Sequence, residues 1–221
     1  MSLLSRLWSR LRAAPVPGGG RTLAKPEIRR QAAALYALAA QQAREPAFYR
    51  RLSVPDTLDG RFDMVVLHVV LLLWGLKPRD AAGGPLSQAL IERMFADMDY
   101  ALREMGSTDT GVGKRIMAMV SGFYGRLKAY HAALDAPEEG EPLIAALDHN
   151  LYGTVLEVPP AHLTAMADYV RREAARVLAI PAPASADDPL PAFDPPPAEP
   201  VPHADPTRNA AGSVLSGELP P

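Results

Sequence analysis

From Pro26 to about Ala179, apolar residues return every three or four positions, the period of helices that bury one face. Ile28, Ala32, Leu35, Tyr36 and Ala39 mark a first helix, which starts near Pro26 and must end before Pro46. Phe48 and Tyr49 follow, then the turn-rich VPDTLDG at 54–60. In that turn Asp56 or Thr57 can cap a following helix, and Asp59–Gly60 can reverse the chain. Residues 64–74, MVVLHVVLLLW, are apolar except for His68. As a helix this run spans about 16 Å, about half of a bilayer's hydrocarbon core, so it predicts a buried central helix or one that lines a groove, not a membrane span. Its valines leave a buried strand as the alternative. After a loop at 77–85, Leu86, Leu90, Met94, Met98, Leu102 and Met105 mark the next helix, with Gly106 as its stop. Val112, Ile116, Met119, Val120, Phe123, Leu127, Tyr130 and Leu134 mark the longest one. Leu143, Ile144, Leu147 and Leu151 mark another, ending at Gly153, and a last helix follows Pro159–Pro160. The expectation is an all-α domain of about six helices over 26–180, with no hairpin signal and no internal repeat.

Both ends break this pattern. Twelve of the 23 prolines fall between Pro181 and Pro221, with six acids against the single base Arg208. Phe193 is the one aromatic there, so 181–221 reads as a disordered, partly polyproline-extended acidic tail. Such a tail is a passive solubiliser or a ligand for a partner. The first residues, MSLLSRLWSRLR, contain no acid; Leu3, Leu4, Leu7, Trp8 and Leu11 share one helical face, and Arg6 and Arg10 lie opposite among serines. A basic amphipathic helix over 1–12 suits a membrane surface. A mitochondrial presequence shares its composition, and a helix packed on the body is the remaining reading. Residues 13–25, with three consecutive glycines, read as a flexible linker.

The formal net charge of −2 gives no reason to expect nucleic-acid recognition. The absence of cysteine excludes disulfides, thiolate catalysis and Cys-ligated metals, and five dispersed histidines suggest no metal centre or other cofactor. His68 reads as a core histidine with a satisfied hydrogen bond, since no His, Glu or Asp stands at i+3 or i+4. GSTDTGVGK at 106–114 is no phosphate loop: Thr108 stands where the first glycine belongs and Arg115 where the magnesium-binding hydroxyl belongs. Glu92, Asp97, Asp99 and Glu104 fit a solvated helix face better than a carboxylate site, and no serine sits in a nucleophile elbow. No catalytic constellation emerges, so the chain reads as a binding protein rather than an enzyme. Met94, Met98, Met105, Met117 and Met119 cluster on two adjacent helices, as ordinary core or as adaptable apolar surface.

Several strings, in order, resemble the ubiquinol–cytochrome c chaperone family: AALYALAAQQ (33–42), PDTLDGRF (55–62), MFADMD (94–99), LREMG (102–106), GVGKR (111–115) and FYGR (123–126). The resemblance covers about 33–178, and the compact length and Ala/Pro/Arg-rich composition favour a bacterial-type member. It implies an assembly factor that attends newly made cytochrome b during assembly of respiratory complex III. It also implies a place at the cytoplasmic face of the inner membrane, or the matrix side in a eukaryote. A small partner protein or the ribosome are further partners it implies, and it carries over no catalytic residue.

A client surface is expected around Asp56, Thr57, Asp59, Arg61 and Phe62, together with Met94, Met98, Met105, Lys114, Arg115, Phe123, Tyr124 and Arg126. Membrane contact is expected at Leu3, Leu4, Leu7, Trp8, Leu11, Arg6 and Arg10. The competing reading is a helical protein that encloses a lipid, quinone or haem near His68, Trp74 and Phe62.

Overall fold

A computed structural model describes residues 25–80, 84–104, 109–136, 142–180 and 190–198. The expected N-terminal helix at 1–12, nearly all of the 13–25 linker, Met105 and the rest of the 181–221 tail lie outside the described residues. So does the side chain of Lys114.

Within the described residues every regular element is a helix: α1 (Lys25–Ala43), α2 (Pro46–Arg51), α3 (Leu58–Asp80), α4 (Pro85–Glu104), α5 (Asp109–Asp135), α6 (Pro142–Asn150) and α7 (Pro160–Ala179). Pro46 and Pro160 each stand in the first turn of their helix, where the missing N–H leaves no bond unmade. The run at 64–74 is helix, not strand, and α3 continues past the expected loop start at Lys77 to Asp80. Its all-round apolarity is explained by its place: α1, α4, α5 and α7 all contact it. From Met64 to Leu76 its apolar side chains are buried, including Leu67 and Val69 with no exposure. Removing such side chains from water is the main favourable term of the fold, about 1.5–3 kcal/mol for each large one.

Thr57 caps α3. Its hydroxyl accepts from the Gly60 amide at 3.1 Å and its carbonyl from the Arg61 amide at 2.9 Å. Gly60 is required there, because a Cβ would lie 2.1 Å from the Pro55 carbonyl oxygen. Just upstream, Ser53 holds a left-handed backbone (φ 57°), unusual for a residue with a Cβ. Two bonds brace the turn: Ser53 Oγ to His162 Nδ1 at 2.9 Å, and the Tyr152 hydroxyl donating to the Leu52 carbonyl at 2.9 Å.

His68 is fully buried, as a core histidine should be. Its Nδ1 lies 2.8 Å from the Met64 carbonyl and its Nε2 2.9 Å from the Tyr169 hydroxyl. A carbonyl only accepts, so Nδ1 carries the proton and Nε2 accepts from Tyr169. Burial pushes the imidazole down to about 4, so it is neutral at neutral pH.

The chain after α7 departs from expectation over nine residues. Residues 190–198 form no helix or strand, consistent with four prolines, but they return to the helical body instead of leaving it. Leu190 and Phe193 are partly buried against the core, and the Phe193 ring meets His68 edge-on at 5.0 Å.

Candidate functional site

An open cleft of about 520 Å³ lies where the N-terminal half of α3 meets α2, the C-terminal half of α1, α4 and the first turns of α5. Phe62 and Val65 of α3, Met98 and Leu102 of α4, and Met119 of α5 supply its apolar surface. Their positions follow from helix geometry: Phe62 is three residues from Val65, and Met98 four from Leu102, so each pair shares a face. Leu58, half exposed, stands at the mouth.

The rim is charged. Arg61 Nε contacts Asp56 Oδ1 at 2.6 Å, which holds the Asp56 carboxyl below the usual carboxylate range. Both partners are solvent-facing, so the pair orders the PDTLDG turn more than it stabilises the fold. Arg44, Arg50 and Arg115 add exposed cations, and Asp59 an exposed anion in the first turn of α3, where the helix dipole favours it. Opposite, the Tyr36 hydroxyl donates to Asp97 at 2.8 Å, and Arg93 joins the same carboxylate at 3.2 Å. Burial first, and Asp97 second, push the Tyr36 phenol far above its ordinary range. Burial lifts Tyr49 to about 12. Both phenols therefore stay neutral hydrogen-bonding walls. An apolar floor with charges fixed at the rim can hold a peptide segment that has an apolar face and polar flanks.

The cleft brings together Asp56, Asp59, Arg61, Phe62, Met98 and Arg115 of the expected surface. Thr57 is beside it, spent as the helix cap. Four other residues of the expected surface do not line the cleft. Met94 and Phe123 have no exposed surface: both point into the core, where Phe123 meets Phe95 edge-on at 5.5 Å. Tyr124 is half-buried and stacks edge-on against Phe123 at 5.2 Å. Arg126 is turned inward to Asp63 of α3 at 2.8 Å and does not line the cleft. Burial raises the Asp63 carboxyl to about 6 even though Arg126 pulls it back.

Tyr36, Tyr49, Arg44, Arg50 and Asp97 also line the cleft, although they lie outside the expected client surface. The Tyr36–Asp97 bond joins residues 61 apart, a pairing with no local signature. His68 and Trp74 do not line this cleft, so the enclosed small-molecule site expected around them, with Phe62, is not assembled there. Two carboxylates of α4 pair along their own helix, Asp97 with Arg93 and Asp99 with Arg103, each pair four residues apart. No described helix is long and apolar enough to cross a membrane.

The family model described as "Ubiquinol-cytochrome C chaperone" matches residues 50–190. Ubiquinol-cytochrome c reductase complex assembly factor 1 of Homo sapiens is 27% identical over 126 residues, which is 57% of this chain but 41% of that protein. The Xenopus laevis protein of the same name is 25% identical over 147 residues, covering 66% of this chain and 72% of its own. The chain thus spans well under half of the human relative's length. Among solved structures, the Cbp3 homolog from Brucella abortus superposes with a TM-score of 0.64 at 30% identity, covering 87% of this chain and 97% of that one.

Proposed function

Because the chain belongs to the ubiquinol-cytochrome C chaperone family, we propose that it promotes assembly of ubiquinol–cytochrome c reductase, respiratory complex III, by holding newly made cytochrome b in the α1–α5 cleft. The observation that carries this reading is convergence. PDTLDGRF contributes Asp56, Asp59, Arg61 and Phe62, MFADMD contributes Asp97 and Met98, and GVGKR contributes Arg115, all to one concave surface. Segments of a polytopic membrane protein are apolar and aggregation-prone before insertion, and an open apolar floor with thioethers gives them an adaptable partner. No covalent chemistry is needed for this role.

The test is a deletion strain complemented with full chains carrying a photocrosslinking residue at Leu58, which is half exposed at the mouth of the cleft. During respiratory growth, cytochrome b is the expected adduct, and the deletion itself should lower assembled complex III and cytochrome b while sparing other respiratory complexes. Asp59→Ala and Arg61→Ala should remain folded, since both side chains face solvent, yet restore complex III poorly. Normal complex III in the deletion strain would refute the role. Full rescue by both variants together would refute the rim's part in it.

We further propose that the protein works at the membrane surface through residues 1–12. Burial of Leu3, Leu4, Leu7, Trp8 and Leu11, with about 1 kcal/mol from each of Arg6 and Arg10 near an anionic leaflet, favours weak, reversible contact. Co-sedimentation with anionic vesicles should exceed that with neutral ones, fall at high salt, and disappear when residues 1–12 are removed. Equal sedimentation of the shortened and full chains would remove residues 1–12 from this role.

A further inference from the structure

The face formed by α1, α3 and α7, away from the cleft, holds residues 190–198 by contacts that read a particular pair of side chains. The Phe193 ring enters an aromatic slot: His68 is edge-on to it at 5.0 Å, and Phe48 and Tyr169 stand behind His68 at 5.6 and 5.9 Å. The next residue is read at three points. Gln42 Nε2 donates to the Asp194 carbonyl at 2.7 Å, and the Asp194 amide donates to Glu173 Oε2 at 3.2 Å. The Asp194 carboxylate pairs with Arg176 and, at 3.6 Å, with Arg172.

The reading groups are themselves fixed. Gln42 also donates to the Tyr169 hydroxyl at 3.0 Å, Tyr169 donates to His68, and the Arg172 guanidinium lies over the Tyr169 ring at 5.4 Å. Glu173 has no exposed surface and lies on the buried face of α7 with Tyr169, Val170 and Val177. A buried carboxylate is costly unless something compensates it, and here Arg172 Nε lies 3.5 Å from Oε1 while the Asp194 amide donates to Oε2. The prolines that flank the pair, Pro191 and Pro195 to Pro197, fix φ and reduce the entropy lost when this segment docks.

We propose that the α1/α3/α7 face is a peptide-recognition site for an aromatic residue followed by aspartate, filled in cis by the chain's own Phe193–Asp194. The site reads the ring, the carbonyl, the amide and the carboxylate through four separate groups, which is more than covering an apolar face requires. Thirteen residues, 180–192, separate the docked pair from the end of α7, so the cis ligand is always present at high local concentration.

The probe is a fluorescent nine-residue peptide with the sequence of 190–198, titrated into full-length protein and read by anisotropy. A full chain carrying Phe193→Ala and Asp194→Ala vacates the site and should bind the peptide saturably. Wild type should bind it at least about ten-fold more weakly, because a short connection gives the cis segment an effective concentration of about millimolar. A peptide with alanine in place of its Phe or its Asp should lose most of this binding, as should the vacated chain once Arg172→Ala and Arg176→Ala are added. Equal binding to wild type and vacated chains would overturn the proposal, as would indifference to the peptide's Phe and Asp. So would no saturable binding to a vacated chain that melts cooperatively. If the vacated chain fails to fold, hydrogen exchange on wild type decides: the Asp194 amide should be protected, and less so in Arg176→Ala. An unprotected Asp194 amide in wild type would overturn the proposal.

Discussion

Gly75→Val should lower the melting temperature of the helical domain by about 6–12 °C, the shift that about 3 kcal/mol produces in a domain of this size. Gly75 lies on α3 where that helix crosses α7. A Cβ there would sit 2.8 Å from the Val177 carbonyl oxygen and 2.9 Å from the Val177 Cβ. The first of these atoms is backbone inside a helix, so relief requires α7 to move as a body. That movement would loosen the packing that α7 contributes, including Tyr169 and Val170, which have no exposed surface. Overpacking at such a site costs about 1–3 kcal/mol or more, set against total stabilities of about 5–15 kcal/mol. Gly125, on the exposed face of α5, is the internal control: a Cβ added there would meet nothing within 4 Å. Gly125→Ala should therefore stabilise by about 0.5–1 kcal/mol through helix propensity alone. Thermal melts of the two variants beside wild type check both signs. A Gly75→Val protein that melts with wild type would show that the α3–α7 contact is looser than this geometry.

The same contrast explains which features are legible in the sequence. Amphipathic helices announce themselves because core and solvent alternate along one segment, and α4 shows Leu86, Leu90 and Met94 buried as its period requires. The cap at Thr57 is readable because its partners lie three and four residues on. Met94 and Met98 show the limit of that reading. Both lie on the apolar side of α4, yet a turn of about 40° between them puts Met94 in the core and Met98 in the cleft. Periodicity finds the face, but the depth of each residue depends on which helix arrives opposite. Phe123 and Arg126 leave the expected surface for this reason, since α4 and α3 supply their partners Phe95 and Asp63. Phe193 is the extreme case. Its surroundings in the sequence contain nothing to pack on, and its contact, His68, is 125 residues away. Composition measures how much a segment can bury by itself, and it cannot register a slot built by the rest of the chain.

His68 yields the second large effect, because it couples folding to pH. Burial holds its folded value near 4, against 6.5 in an unfolded chain. Between those values the unfolded state binds a proton that the folded state refuses. Stability from this group is therefore fully present above about pH 6.5 and is lost as pH falls toward 4, by about 1.4 kcal/mol per pH unit. Asp63 acts in the opposite sense: its folded value is raised to about 6, so the folded state takes up a proton first and gains stability as pH falls through 6. Glu173, also raised by burial, adds to that opposing slope. Wild type alone would show the two trends cancelling in part. The comparison that isolates His68 is wild type against His68→Gln, with denaturant unfolding measured from pH 7.5 to 4.5. The carboxylates contribute equally to both proteins and drop out of the difference. At pH 7.5 wild type should be the more stable, because glutamine cannot meet both the Met64 carbonyl and the Tyr169 hydroxyl from the ring's positions. The gap should then narrow by about 2–3 kcal/mol on going to pH 4.5, since only wild type must keep an imidazole neutral. A gap that stays constant across that range would mean the imidazole is not held neutral. Protonation in the folded state would then make Nε2 a donor, and its bond with the Tyr169 hydroxyl would have to reverse.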